Sequence, residues 1–184
     1  MRVTGGVLKG HRLIKIKGPH IRPTADMVRN SIFNILGQTL TGLGVLDLFA
    51  GTGSLGIECL SRGAKRAVFI DNSQQALALI KKNLIICGLK EFSMVIREKL
   101  PKGLSKIRNL GCGQFDLVFI DPPYGKGYIE PTINKLVESK LLTQDATVVA
   151  ESSTSAKLPL PCEISHLRLQ RTRAYGSTVI GLYS

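Results

Sequence analysis

The sequence predicts an α/β fold in which a doubly wound, mostly parallel sheet carries helices on its faces, behind a short N-terminal extension. Three observations carry that expectation. Strand-like and helix-like segments alternate from residue 44 onward. A glycine-rich turn, DLFAGTGSLG (47–56), joins the first of these strands to the first of these helices. Two later strand-like runs, RAVFID and FDLVFID, end on acids, at the edge where such sheets take their ligands.

In chain order, VTGGVLKGHRLIKIK alternates in part around glycines and reads as a small β-hairpin or ribbon. RPTADMVRNSIFNIL opens on Pro23 and Thr24 and places Val28, Ile32, Ile35 and Leu36 at helical spacing, predicting a helix near 25–37 closed by Gly37. TGLG (41–44) is a linker. GVLDLF is then a buried strand, LGIECLSRG a short helix ended by Gly63, and RAVFID a second strand. SQQALALIKKNLIICG is a helix closed by Gly88 and FSMVI a third strand, with no regular pattern over 98–113. FDLVFID is a fourth strand, GYIEPTINKLVESK a helix and ATVVAES a fifth strand. The tail, ISHLRLQRTRAYGSTVIGLYS, holds two short strands about a turn at Ala174–Gly176. No helix separates these two, so one of them runs antiparallel.

At 184 residues, 43% of them apolar, the chain has the size and composition of one soluble domain. We expect a basic extension (1–42) on an α/β core (43–184). No apolar run reaches the length of a membrane span and the first residues lack the apolar stretch of a signal peptide, so the expected location is cytoplasmic. The four cysteines have no C-x-x-C spacing, and no metal site is expected. The net charge is +12, and its distribution is uneven: residues 1–42 hold seven bases against one acid, and residues 155–184 four against one. A localised basic segment points to a polyanionic partner, most simply nucleic acid.

The turn Gly51-x-Gly53-x-x-Gly56 has dinucleotide-fingerprint spacing, with Asp71 placed for a ribose. A tight strand-to-helix turn without a ligand would also use such glycines. Asp47, inside the strand, separates two ligand classes. A carboxylate in the cradle would repel a pyrophosphate. It suits S-adenosylmethionine, which carries a sulfonium, an ammonium and no phosphate. The second motif is DPPYG (121–125), directly after the strand FDLVF. Two prolines end the ladder and stiffen the chain at a ligand-bearing edge. Asp121 and the Pro122 carbonyl supply two acceptors, and Tyr124 an aromatic face. Together they form a receptor for a planar base bearing an exocyclic NH2, extruded from its stack.

GGVLKGHRL (5–13), RPTADMVRNSIFNIL (22–36), LDLFAGTGSLGIECLSRGA (46–64) and DPPY (121–124) together resemble the bacterial RsmD family of 16S rRNA guanine-N2 methyltransferases. The likeness runs from about residue 2 to about residue 140. It implies a Rossmann-like class I methyltransferase fold with a seven-stranded sheet whose last strand is antiparallel. It implies S-adenosylmethionine as methyl donor, and as acceptor the N2 of one guanine in 16S rRNA or the assembling small subunit; a monomer is the default expectation. Carried over, Asp47, Phe49, Gly51, Thr52, Gly53, Asp71, Asn72 and Glu98 are the donor-site residues. Asp121, Pro122, Pro123 and Tyr124 carry over as the methyl-transfer site and Arg22, Thr24 and Arg29 as residues near donor and RNA, while Lys9, Arg12, Lys15 and Lys17 are expected to face RNA as part of the basic 1–42 segment. This chain departs from the family pattern with His11 in place of an arginine and Asn30 in place of a glutamate. DPPY is shared with DNA adenine-N6 methyltransferases, which form the nearest alternative. An NAD-dependent oxidoreductase and a non-catalytic RNA-binding assembly factor are the others.

Overall fold

In the computed structural model, which describes residues 1–15, 24–123, 125–155 and 160–184 (backbone alone at 24–26), the five runs between 44 and 153 are strands. They are β1 (Gly44–Leu48), β2 (Arg66–Asp71), β3 (Ser93–Arg97), β4 (Phe115–Ile120) and β5 (Leu142–Ser153). All pair in parallel, in the order β3-β2-β1-β4-β5. The connections are α2 (Ser54–Ser61), α3 (Gln74–Ile86), α4 (Leu104–Asn109) and α5 (Ile129–Glu138). Ahead of them lies α1 (Thr24–Leu36), which stops at Gly37 with a φ of 97°. The stretch 98–113, expected to be irregular, contains α4. That helix has six residues and buries only Leu104 and Ile107, too few to register as a periodic pattern.

Side chains alternate across each strand, and the two faces acquire separate cores. On one face Val45, Phe69, Leu117, Phe119 and Val149 pack with Phe33 of α1, Ile57 of α2 and Ile80 of α3. On the other, Leu46, Leu48, Val68, Ile70, Val118 and Ile120 pack with Leu104 and Ile107 of α4 and Ile133 and Leu136 of α5. The chain order leaves β1 and β4 as neighbours at the point where the winding reverses.

The tail forms β6 (Glu163–Ile164), β7 (Leu167–Tyr175) and β8 (Thr178–Tyr183). The last strand, β8, is antiparallel to both β5 and β7, as expected. The sheet has eight strands where the family pattern implies seven. The addition is the two-residue β6, which pairs with Leu167 and Arg168 on the outer edge of β7. Among the described residues no helix is long and apolar enough to cross a membrane.

The N-terminal segment is a ribbon with a single bridge, Arg2 to Arg12, turning between Gly5 and Gly10. It lies along α2. Val7 N–H donates to the Ser61 carbonyl, and Gly6, at φ 72°, sits so close that a Cβ would fall 1.8 Å from that oxygen.

Gly56 illustrates how tightly α2 meets the sheet. A Cβ there would lie 2.3 Å from the ring of Phe69, which is fully buried and has nowhere to move. Gly56→Ala should therefore destabilise the protein by about 1–3 kcal/mol through overpacking. A wild-type denaturation midpoint in that variant would show instead that the ring yields.

Candidate functional site

The register sets two motifs side by side. Leu48 of β1 pairs with Ile120 of β4, so the turn 49–53 and the segment Asp121-Pro122 leave adjacent strands at the same height. Parallel neighbours stand about 4.8 Å apart, which puts both motifs at the switch point of the sheet. Asp121 is exposed there, Pro122 buried and Pro123 exposed. Tyr124 lies outside the described residues.

The turn begins with Phe49 in the left-handed region, at φ 57°. That conformation is strained for an aromatic residue, and strain of this kind clusters at functional sites. The Phe49 ring stacks on Tyr128, the residue that caps α5, with centroids 5.7 Å apart. Gly51 and Gly53 follow at φ 54° and 74°. Asp71, half-exposed at the end of β2, accepts the Gly51 N–H at 2.9 Å and the Ser73 N–H at 2.8 Å. A carboxylate has about four lone-pair positions, so it retains capacity for hydroxyl donors. Asn72 beside it is exposed, and its carbonyl accepts from Arg97.

Asp47 is not in the cradle. Alternation along β1 turns it to the face of α2, with Val45, and its carboxylate accepts the Gly56 N–H at 3.0 Å from beneath the turn. Gly53, the N-cap of α2, has no side chain with which to cap, and Asp47 does so from the strand. Its effect on ligand choice persists by another route. The helix N-terminal N–H that a pyrophosphate cradle would offer is already taken by a carboxylate.

Burial pushes the Asp47 carboxyl up to about 7, against the opposing Gly56 hydrogen bond and with a smaller push from the Asp71 charge. The folded protein thus holds a proton that the unfolded chain has released above about pH 4. This group's contribution to stability should fall as pH rises from about 4 to about 7 and stay low above that. Asp47→Asn keeps an acceptor for Gly56 and removes the titration. The difference in denaturation midpoint between wild type and variant should move in the variant's favour across that window, and a pH-independent difference would refute this account.

Glu98 follows β3, where its N–H donates to the Asp71 carbonyl at 3.2 Å. Its carboxylate pairs with Lys106 at 2.9 Å, so it enters the site already engaged.

The basic residues of the extension do not converge. Lys9, Arg12 and Lys15 are all exposed. Lys9 sits in the turn that docks on Ser61, at the far end of α2, about 12 Å of helix away from the glycine turn. Lys15 lies at the near end, next to Ile14, whose N–H and carbonyl both bond to Asn83. Lys17 and Arg22 fall outside the described residues, as does the side chain of Thr24.

Arg29 is not on the surface. It is 3% exposed, donates to the Arg2 carbonyl and lies 3.6 Å from the Glu58 carboxylate. Its position on α1 turns it inward with Ile32 and Phe33, so it anchors the extension and does not meet a phosphate.

Three residues that no sequence motif singles out build the frame of the site. Tyr128 is the wall against Phe49. Asn83 on α3 is fully buried and donates to the carbonyls of Thr52 (3.0 Å) and Ile14 (3.1 Å) while accepting the Ile14 N–H (2.8 Å). Thr52 itself donates its hydroxyl to the sulfur of Met1. Glu58 on α2 accepts Thr4 N–H and Oγ1, each at 2.8 Å, and pairs with Arg62 at 2.9 Å. Arg62 in turn lies over the Phe33 ring at 4.6 Å, and Phe33 packs on Phe119 two residues before Asp121. Among the described residues no cluster of three or more His, Cys, Asp or Glu side chains could hold a metal ion.

The model of the family described as Conserved hypothetical protein 95 matches residues 1–184. YlbH of Bacillus subtilis (strain 168) is 36% identical over 183 residues, covering all of this chain and 98% of its own. Ribosomal RNA small subunit methyltransferase D of Escherichia coli (strain K12) is 32% identical over 192 residues, covering all of this chain and 89% of its own. The solved structure of yhhF from Escherichia coli superposes with a TM-score of 0.83 at 31% identity, covering 100% of this chain and 96% of that one.

Proposed function

The chain belongs to the family described as Conserved hypothetical protein 95, the RsmD family, and from that premise we propose that it transfers a methyl group from S-adenosylmethionine to the exocyclic N2 of a guanine in 16S rRNA. The acceptor is one guanine of free 16S rRNA or of the assembling small subunit. The protein works in the cytoplasm as a monomer, with residues 1–42 as an extension built onto the α/β core.

The observation that carries this reading is the Leu48–Ile120 register, which makes the glycine turn and the Asp121-Pro122 segment neighbours. A donor seated on one of them faces an acceptor seated on the other. The residues present fit S-adenosylmethionine: Asp71 is an acceptor with spare capacity beside the glycine turn, and Asp47 occupies the N–H that a phosphate would need. Phe49, Gly51, Thr52, Gly53 and Asn72 line that side, with Glu98 behind Asp71. When bound, the donor supplies an electrophilic methyl group on a sulfonium.

The work of the chain is on the other partner. An amine conjugated to a base is a poor nucleophile, because its lone pair is delocalised into the ring. Asp121 and the Pro122 carbonyl accept its two N–H hydrogens and favour a pyramidal nitrogen, whose lone pair is then available. As positive charge develops on that nitrogen, the Asp121 carboxylate would stabilise it electrostatically, and one of the amine's two N–H protons is released during or after transfer, so that the methylated amine ends neutral. Tyr124 stacks on the extruded base, and the two prolines hold Asp121 in place at the strand end.

The test is methyl transfer from labelled S-adenosylmethionine to unmethylated 16S rRNA, to small subunits assembled from it, and to DNA, followed by nucleoside analysis. N2-methylguanosine in either RNA acceptor is the expected product. N6-methyladenine in DNA would replace the acceptor assignment while retaining the amine chemistry. No product, with S-adenosylmethionine still bound, would point to a non-catalytic assembly factor.

A further inference from the structure

The second basic stretch of the chain, residues 155–184, has no part in the site described so far. Its one acid, Glu163, is paired with Arg168 at 3.7 Å. Arg171 and Arg173 on β7 are exposed and form no ion pair with any described residue; Arg173 bonds only to the carbonyl of its own neighbour, Thr172.

The register places these two arginines. Arg171 pairs with Leu182 and Arg173 with Ile180, and both partners belong to the core on the face that carries α1, α2, α3 and the N-terminal ribbon. Paired residues share a face, so Arg171 and Arg173 share that one. Ile180 pairs with Glu151, which follows Ala150, and Ala150 pairs with Ile120. Arg173 therefore stands in the same row across the sheet as Asp121, three strands away, or about 14 Å. Glu151, partly buried, is the acid between them. Past Leu169 the outer edge of β7 has no strand partner among the described residues, because β6 stops after two residues.

We infer that Arg171 and Arg173 form a second phosphate-binding arm, on the opposite side of the transfer site from the N-terminal basic ribbon, so that the RNA strand lies across the row between them. The inference rests on the rRNA reading above. Two guanidiniums at i and i+2, without an ion pair among the described residues, present their N–H forks to one side of a backbone, and guanidinium is well matched to phosphate oxygens. The row leads from Asp121 straight to them, at a distance suited to nucleotides flanking the extruded base. Arginines also guard bare sheet edges against pairing with other chains. Charge reversal separates the two roles, since glutamates guard an edge as well as arginines do but repel a phosphate.

The experiment compares wild type with Arg171→Glu/Arg173→Glu. Binding to unmethylated 16S rRNA is measured against salt concentration, and the denaturation midpoint verifies folding. The expected result is a loss of about tenfold or more in RNA affinity, a salt slope shallower by about two, and wild-type affinity for S-adenosylmethionine. Lys9→Glu/Lys15→Glu should shift the slope similarly, and the four-site variant should combine both effects. An unchanged slope in the β7 variant would overturn the arm. Unchanged affinity for free rRNA with weakened affinity for small subunits would also overturn it, and would assign β7 to a ribosomal protein. Binding is read directly, so a wild-type protein that transferred no methyl group would sink the functional reading while the slopes still decided the arm.

Discussion

Asp121→Asn lowers methyl transfer by about a hundredfold to a thousandfold at unchanged affinity for S-adenosylmethionine. The size is that of removing one preorganised electrostatic partner from a developing charge. The exchange is nearly isosteric, and Asp121 is exposed at the end of β4. What changes is chemical. One acceptor oxygen becomes an NH2 group, which presents hydrogens to the hydrogens of the substrate amine. The negative charge that offsets the forming cationic nitrogen disappears with it. The donor side is built from Asp71, which accepts the Gly51 N–H, and the turn 49–53, on the neighbouring strand ends. Transfer assays at saturating RNA, paired with calorimetric titration of S-adenosylmethionine, read both halves. Turnover within a few-fold of wild type would remove Asp121 from the reaction, and a parallel loss of donor affinity would make it a donor-site residue.

The largest effect on stability is expected at Glu58. Its side chain is fully buried, and it accepts hydrogen bonds from Arg62 and from both donors of Thr4 while lying 3.6 Å from the Arg29 guanidinium. Glu58→Gln removes the carboxylate charge that faces the Arg62 guanidinium at 2.9 Å, both side chains being buried. Breaking a buried pair in this way costs about 3–5 kcal/mol, a large share of the roughly 5–15 kcal/mol that holds a domain together. The damage should begin at one place. Thr4, Gly5 and Leu8 are held through Glu58 and Ser61 on α2, so amide protons of the ribbon should lose protection before those of β1 or β4. Chemical denaturation with hydrogen exchange tests this. A variant within 1 kcal/mol of wild type, with the ribbon still protected, would mean that the cluster is dispensable.

The parts of the molecule legible in the sequence are those governed by short-range rules. Period-two and period-3.6 patterns mark β1 to β5 and the longer helices. Gly51 and Gly53, both at positive φ, and the two prolines after β4 are backbone devices that have few other uses. What stays hidden depends on direction. The glycine motif invites Asp47 to face a ligand, although its alternation with Val45 assigns it to the helix face. Arg29 resembles a surface base, yet it stands four residues before Phe33 on the apolar side of α1. The sequence shows Glu58 and Arg62 as an i, i+4 pair on a short helix, a pattern that is ordinarily solvated. Its burial comes from the ribbon that folds over it, and no local pattern announces that. Asn83 and Tyr128 are of the same kind, since their partners lie 69, 31 and 79 residues away.

Asn83 has one more consequence. All three of its hydrogen bonds end on main-chain atoms, at Ile14 and Thr52. The tie between Ile14 and Thr52 is thus encoded at a single position. In a library of random variants, sites 14 and 52 should accept many side chains without loosening this tie, since any residue except proline at 14 brings the same amide and carbonyl. Position 83 should accept almost nothing but asparagine. Aspartate lacks the two donors, glutamine is one methylene too long for a fully buried site, and alanine removes all three hydrogen bonds at once. Relatives could drift widely in the two segments that are joined, while the residue that joins them, on a helix belonging to neither, stays fixed.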